Sequence, residues 1–308
     1  MVKAKWRSVD GIVLLNKPIG LSSNQALQRV RRLYQAAKAG HTGALDPLAT
    51  GMLPLCLGEA TKFSQYLLDA NKRYLTCIQL GKRTTTGDRE GEVLTEESVP
   101  ILTDDSLEAI LDRFRGDIEQ IPPMYSALKH EGRPLYEYAR QGIVIERKRR
   151  CVTVSNLTLV SRTDDTLTLD IQCSKGTYIR TIGEDIGEAL GCGAHLYSLH
   201  RISTAGYLPE NMMTLEQFEA IAEQGYEALD SHLISMDTAV EHFEKVDLAE
   251  VDTLDMMFGR TVSSPVSIGH ETVVRMYDQQ SQRFLGLGQI KGTSIRPYRL
   301  VNTSEFSL

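Results

Sequence analysis

Residues 40–63, GHTGALDPLATGMLPLCLGEATKF, constrain the fold more than any other stretch of the 308-residue chain. Gly40, Gly43, Gly51, Pro47 and two threonines make GHTGALDPLATG too poor in helix formers to continue any preceding helix, so it must be a loop. MLPLCLG then reads as a short buried strand, and EATKFSQYLLDANK as a helix with Ala60, Phe63, Tyr66, Leu67 and Ala70 recurring at helical spacing. The loop holds one carboxylate, Asp46, and the next acid along the chain is Glu59. Leu45, Leu48, Met52 and Leu53 can wall it with apolar surface. A carboxylate in such walls is unfavourable unless a cation or several donors face it. An aspartate before proline also serves commonly to accept from nearby backbone N–H groups, so the dipeptide alone assigns no function.

The segments around this loop alternate between the two periodicities. A helix is predicted from Ser22 or Ser23 as N-cap, with Leu27, Val30, Leu33 and Tyr34 on one face, Arg29, Arg31, Arg32 and Lys38 on the rest, and Gly40 at its end. RYLTCIQLG from Arg73 reads as a strand and TTTGDREGEVLTEE as a polar hairpin tip and return. A helix near Asp105–Phe114 leads to Pro122 and Pro123, which break regular structure before a short helix over Pro134–Arg140. CVTVSNLTLVS and TLTLDIQCS are strands. GTYIRTIGEDIGEALGCG is a helix with Ile179, Ile182, Ile186 and Leu190 on one face and Gly191 at its C-cap. AHLYSLHRIST returns as a strand. Helices then dominate from Thr214, whose spacing from Gln217 suits a capping box, to Asp255. ETVVRMYD, RFLGLGQI and IRPYRLV close the chain as short strands, an all-β unit of about sixty residues, near the lower limit for independent folding. The expected division is 1–245 and 246–308, consistent with a length that suits about two domains.

Charge is unevenly spread. The formal net charge is −6, yet residues 210–255 carry thirteen acids against Lys245 alone, so the remainder of the chain sums to +6. Residues 1–45 hold eight Lys and Arg against Asp10. Such a separation suits a phosphate-facing surface with a solvated acidic back, and it equally suits two solvated faces. The apolar run Ile12–Leu15 is far too short for a signal peptide, and no run approaches the ~18 residues of a membrane span. Five scattered cysteines (Cys56, Cys77, Cys151, Cys173, Cys192) without a CxxC pair read as free packing thiols of a cytoplasmic protein. Dinucleotide, P-loop, zinc-protease and serine-hydrolase motifs do not occur. Cys192 and His195 lack a second pair at zinc-ligand spacing.

Six blocks carry a family resemblance: LLNKPIGLSSNQAL, AGHTGALDPLATGMLPLCLGEATKF, KRYLTCIQLG, IPPMYSALKHEGRPLYEYARQG, CSKGTYIRTI and LGCGAHLYSLHRI. In order, from about Gly11 to Ile202, they resemble the motifs of the bacterial TruB-type tRNA pseudouridine synthases. The resemblance implies a mixed α/β (α+β) catalytic fold with a large, mainly antiparallel mixed sheet, followed by a small PUA-like pseudobarrel. It implies isomerisation of uridine 55 in the tRNA T-loop to pseudouridine, with neither metal nor organic cofactor. Asp46 matches the catalytic aspartate, acting either on C1′ or on the 2′ proton, and a carboxylate suits a centre that gains positive character as the base leaves. Arg180 matches its arginine partner. Tyr74 matches the aromatic that stacks on the uracil and is proposed to take the C5 proton. Tyr178 and Leu199 match pocket residues, and His41 a histidine that fills space left by extruded nucleotides. Lys17 is similar to a motif lysine with a loop-building role. Without the resemblance, Arg180 would read as a surface helix arginine, and Tyr74, Tyr178 and Leu199 as core residues.

Arg31, Arg32, Lys38 and Arg147–Arg150 are candidates for phosphate contacts. His200 stands where the family frequently has a second arginine. In the C-terminal unit only FLGLGQI and the length resemble the family. Two other functions fit parts of the sequence: a non-catalytic RNA-binding module, against which Asp46, Tyr74 and Arg180 all speak, and a glycoside-cleaving hydrolase, which needs a second carboxylate as general acid. A monomer is the expected state, in the absence of a coiled-coil pattern.

Overall fold

The main sheet joins strands from opposite ends of the first two hundred residues, in a computed structural model that describes residues 6–302. β1 (Gly11–Lys17) and β3 (Thr50–Leu57) are the apolar runs expected of strands covered on both faces, and almost every residue in them is buried. They pair antiparallel, Gly11 opposite Leu57 and Lys17 opposite Gly51. Between them, α1 (Ser23–Tyr34) buries Ala26, Leu27, Val30 and Tyr34. Its start is closed by a capping box: Ser22 Oγ accepts from Gln25 N at 3.2 Å while Gln25 Oε1 accepts from Ser22 N at 2.9 Å.

The helix stops at Tyr34 rather than at Gly40. Gln35 turns left-handed at φ 49° and donates its N–H to the Arg31 and Arg32 carbonyls, and Ala39–His41 becomes β2, paired with β3. The open edge of β3 supplies backbone partners that outweigh the helical pattern. The helix predicted after β3 is also divided, into a 3-10 turn (Gly58–Lys62) and α2 (Ser64–Asp69) with Phe63 between them.

β4 (Lys72–Leu80) alternates, with Lys72, Tyr74, Thr76, Ile78 and Leu80 buried. A hairpin of β5 (Lys82–Thr84) and β6 (Val93–Glu96) precedes α3 (Asp104–Asp112) and β7 (Gly116–Gln120). A two-residue hairpin, β8 (Lys129–His130) and β9 (Arg133–Pro134), leads into α4 (Leu135–Ala139). β10 (Arg150–Arg162), β11 (Thr166–Cys173), α5 (Ile179–Ala189) and β12 (Ala194–Thr204) complete this part. The sheet order is β1-β3-β12-β4-β11-β10-β7, with β2 attached to β3. Every pairing in it is antiparallel except β12 with β3, which run parallel through His200–Thr50 and Arg201–Gly51. At that seam Gly51 has φ +95°, and a Cβ on it would lie 2.3 Å from the Arg201 carbonyl oxygen, so only glycine fits.

Helical structure beyond β12 is shorter than the sequence pattern predicts. α6 (Leu215–Ala222), with its Thr214–Gln217 capping box, and α7 (Tyr226–Asp230) form, but Glu244–Leu248 is a strand, β13. Val246 and Leu248 alternate into a core that the parallel partner β14 (Val262–Asp278) supplies, which overrides weak helical periodicity. α8 (Glu250–Met257) lies between these two strands, so the C-terminal unit is not purely β. The last two predicted strands merge into one, β15 (Phe284–Leu300), giving a three-stranded sheet β13-β14-β15 separate from the large one. Leu287 and Val301 of this unit pack with Ile12, Leu14 and Phe63, so it rests on the outer face of β1 and β3. None of the described helices is long and apolar enough to cross a membrane.

Candidate active site

The loop between β2 and β3 is held by buried polar groups. Ser23 Oγ accepts from Leu45 N at 2.7 Å and lies 3.0 Å from Leu45 O. Lys17, fully buried at the end of β1, directs Nζ at the carbonyls of Pro18, Leu21 and Pro47 at 2.9, 2.6 and 3.5 Å. Burial brings its pKa down to about 8, opposed by Asp46 and Glu90. All three ammonium protons therefore face carbonyls of the loop and its neighbour, the loop-building part assigned to Lys17 above. Arg201, also buried, donates Nε to Met52 O at 2.6 Å and Nη2 to Gly43 O at 2.8 Å. With residues on both sides of it fixed, Asp46 projects its carboxylate into a recess.

Arg180 reaches the same recess from the first turn of α5. A helix N-terminus carries partial positive charge, so a buried arginine there needs strong acceptors. It has the carbonyls of Thr86 at 3.0 Å and Tyr125 at 2.6 Å, with two carboxylates paired to it, Asp46 Oδ2 at 3.0 Å and Asp88 Oδ2 at 3.7 Å. The guanidinium is only 5% exposed, while the Asp46 side chain is 46% exposed. Burial still raises the Asp46 pKa above its ordinary 3.8, with Asp88 adding to the rise and Arg180 and Lys17 opposing it. The open half of the side chain and the guanidinium both moderate that rise, since each favours the ionised form.

Sequence reasoning missed Asp88. It lies in the predicted hairpin tip, where only its neighbouring threonines hint at a buried acid. Thr86 Oγ1 donates to Asp88 Oδ1 at 2.6 Å, and the Glu90 N–H donates to the same oxygen at 3.1 Å. Ser126, in the PPMYSAL segment, was not singled out either. Its hydroxyl is buried, has no partner and lines the recess.

The recess has a volume of about 290 Å³ and is lined by Asp46, Tyr74, Tyr178, Arg180 and Leu199, together with Gly43, Lys72, Ser126 and Arg201. This is near the lower end of the ~300–1,000 Å³ typical of ligand pockets. Tyr74 projects inward from β4, opposite Arg201 in the ladder with β12. Burial raises its pKa, and the charge and hydrogen bonding of Arg201 oppose the rise. Tyr178 is clamped through its backbone by the buried Gln120, which accepts from Tyr178 N at 3.0 Å and donates to Tyr178 O at 3.2 Å. The Arg150 guanidinium stacks 4.7 Å from the Tyr178 ring centre. His41 is the exception among the predicted residues: it sits on β2 opposite Leu55, outside the recess lining. Its Nδ1 is buried without a partner, and burial and Arg201 lower its pKa.

A larger groove of about 840 Å³ runs between β1 and the segments around residues 205–221 and 232–241. Its lining includes Glu210 and Glu241 but no lysine or arginine, so it lacks the acid–guanidinium pair found in the smaller recess. Among the described residues no three His, Cys, Asp or Glu side chains converge as a metal site. Four of the proposed phosphate contacts have partners within the chain: Arg31 donates to the Ala36 and Ala37 carbonyls, Arg147 to Pro122 and Arg150 to Gly176, and Arg149 pairs with Glu119 at 3.6 Å. The cysteines are unpaired, but Cys151 is exposed and is therefore not a packing residue.

The fold is shared with solved structures. A chain of a Cbf5–Nop10–Gar1 complex superposes with a TM-score of 0.71 at 24% identity, covering 94% of this chain and 84% of that one. An archaeal box H/ACA sRNP Nop10–Cbf5 complex gives 0.69 at 22% identity, with 95% and 86% covered. The large mixed sheet with an attached C-terminal unit is thus an architecture shared with those chains. Residues 31–179 match the TruB family pseudouridylate synthase N-terminal domain, 180–241 the tRNA pseudouridylate synthase B C-terminal domain, and 245–301 the pseudouridine synthase II TruB C-terminal domain. The tRNA pseudouridine synthase B of Marinomonas sp. (strain MWYL1) is 90% identical over 308 residues, all of both chains. That of Shewanella amazonensis (strain ATCC BAA-1098 / SB2B) is 52% identical over 307 residues, 97% of each. The chain belongs to the TruB family of pseudouridine synthases.

Proposed function

We propose that this enzyme isomerises uridine 55 in the T-loop of tRNA to pseudouridine, with Asp46 as the catalytic carboxylate. The observation that carries the proposal is the 3.0 Å contact between Asp46 and the buried Arg180 in a recess that Tyr74 also lines. As the N1–C1′ bond breaks, C1′ gains positive character that a fixed anion stabilises. Arg180 aims that anion and Asp88 anchors Arg180. Tyr74 stacks on the uracil and is the candidate acceptor of the C5 proton, while Tyr178 and Leu199 confine the ring as it turns. His41, beside the recess, fills the space left when the nucleotide is everted from the loop.

A hydrolase needs a second carboxylic acid able to protonate its leaving group. Asp88 is the nearby candidate, but it is buried, accepts from Thr86 and Glu90 and is ion-paired with Arg180, which suits an anchor and not a proton donor. The enzyme acts as a cytoplasmic monomer on the T-arm. Residues 1–245 are assigned to the catalytic domain and 246–308 to a PUA-like RNA-binding domain, and β13, paired with β14, spans that boundary. An unmodified tRNA transcript, treated with enzyme, then carbodiimide, and read by primer extension, is expected to give one new stop, one nucleotide 3′ of position 55, which marks an adduct on residue 55. A stop elsewhere in the T-loop would overturn the positional assignment.

The same site predicts a pH dependence. The ionised Asp46 is the active form, and burial raises its folded pKa above 3.8. The single-turnover rate should therefore be full above that raised value and fall tenfold per pH unit below it. A profile whose acid limb lies at or below 3.8 would contradict the burial of the carboxylate.

A further inference from the structure

Lys72 and Arg201 are buried cations without an anion. They are 9% and 1% exposed, and both line the recess that holds Asp46. Lys72 Nζ donates to the Leu68 and Ala70 carbonyls at 3.0 and 2.6 Å, and Arg201 donates to the Met52 and Gly43 carbonyls and to the Tyr74 hydroxyl. Among the described residues neither is within 4.0 Å of a carboxylate, and the neighbouring Asp69 is taken by Lys175 at 3.0 Å. Two of the three Lys72 N–H groups are used by those carbonyls.

Both cations converge beneath Gly43. An ideal Cβ on that glycine would lie 3.2 Å from Arg201 Nη1 and 3.4 Å from Lys72 Cε. Strand alternation sets Lys72 on the same face of β4 as Tyr74, and Arg201 is the cross-strand neighbour of Tyr74. Two cations thus stand beside Tyr74 in the recess that also holds the Asp46–Arg180 pair. Burial and the Arg201 charge lower the Lys72 pKa to about 8. Two like charges buried together are unfavourable in the free protein, and such an arrangement is explained when an anion arrives.

The isomerisation argued above, on which this inference rests, generates one anion in that position. When N1–C1′ breaks, its electron pair remains with the base, and the uracil carries a negative charge spread over N1, O2 and O4. The ring turns, C5 supplies the electron pair of the new bond to C1′, C5 loses its proton to a base, and N1 gains one. Uridine and pseudouridine have the same composition, so the step balances without a co-reactant. We propose that Lys72, supported by Arg201, stabilises the departing uracil anion, while Asp46 serves the sugar. Both cations stay protonated throughout.

The test uses the full-length enzyme, T-arm RNA carrying uridine or 5-fluorouridine at the target position, and single-turnover rates at saturating enzyme. Fluorine withdraws electrons from the ring and makes it a better leaving group, less dependent on an external cation. Lys72→Gln keeps N–H donors for the Leu68 and Ala70 carbonyls but removes the charge. It is expected to slow uridine consumption about 100-fold. The slowing on 5-fluorouridine is expected to be about tenfold smaller, with RNA affinity within a few fold of wild type. Lys72→Arg restores the charge and is expected to recover the uridine rate to within about tenfold. Equal slowing on both substrates would overturn the proposal. So would a loss confined to RNA affinity, which marks a backbone phosphate contact, or a Lys72→Arg variant as slow as Lys72→Gln. Wild-type conversion of uridine in the same series reports separately on the isomerase reading.

Discussion

Asp46→Asn is expected to lower pseudouridine formation by about four orders of magnitude or more, with tRNA affinity changed no more than a few fold. Asparagine matches the shape of aspartate but carries no charge to set against C1′. The surroundings survive the change, because Arg180 keeps the Thr86 and Tyr125 carbonyls and Asp88. Single-turnover conversion scored by carbodiimide mapping, beside a filter-binding measurement, separates chemistry from recognition. A variant that still converts the uridine within about a hundredfold of wild type would remove Asp46 from the centre of the mechanism.

Arg180→Ala is expected to affect two quantities at once. The rate should fall by about 10³-fold, because Asp46 loses its direction and its counter-charge. Stability should fall by about 3–5 kcal/mol, because Asp88, buried with a side chain only 6% exposed, loses its cation. Arg180→Lys restores the charge but not the fork that spans two carbonyls and two carboxylates, so it should recover part of the stability and little of the rate. Thermal melts of both variants, run with the rate measurements, check this. An Arg180→Ala protein as stable as wild type would show that Asp88 does not depend on the guanidinium.

The contrast between these residues explains what the sequence revealed. Asp46 was legible because an acid stood alone in a glycine-rich loop between apolar runs, and Tyr74, Arg180, Tyr178 and Leu199 because the motifs around them are distinctive. All five line one recess. Asp88 and Ser126 were not legible. Asp88 comes from a hairpin tip with ordinary turn composition, and Ser126 from an irregular segment, so only the folded chain shows that each is buried beside Arg180 or the recess. Arg201 and Lys72 were hidden for a related reason, since a charged residue in a strand reads as solvent-facing until its neighbours are known.

The same limit applies to the fold. Local periodicity located α1, α5, β3 and β4, where propensity and burial agree. It failed at Ala39–His41 and Glu244–Leu248, where a strand elsewhere in the chain supplies the backbone partner. It also failed to show that β12 joins β3 in parallel, although that seam places Arg201 under the Asp46 loop. Pairing partners distant in sequence leave no periodic trace.

The most direct test of the central claim, that this recess moves a base on its sugar without releasing it, is the product composition. An unmodified tRNA transcript radiolabelled in its uracil rings, incubated with stoichiometric wild-type enzyme and digested to nucleosides, should yield one pseudouridine per tRNA and no free uracil. Release of free uracil with an abasic site left in the RNA, or recovery of uridine alone, would contradict it.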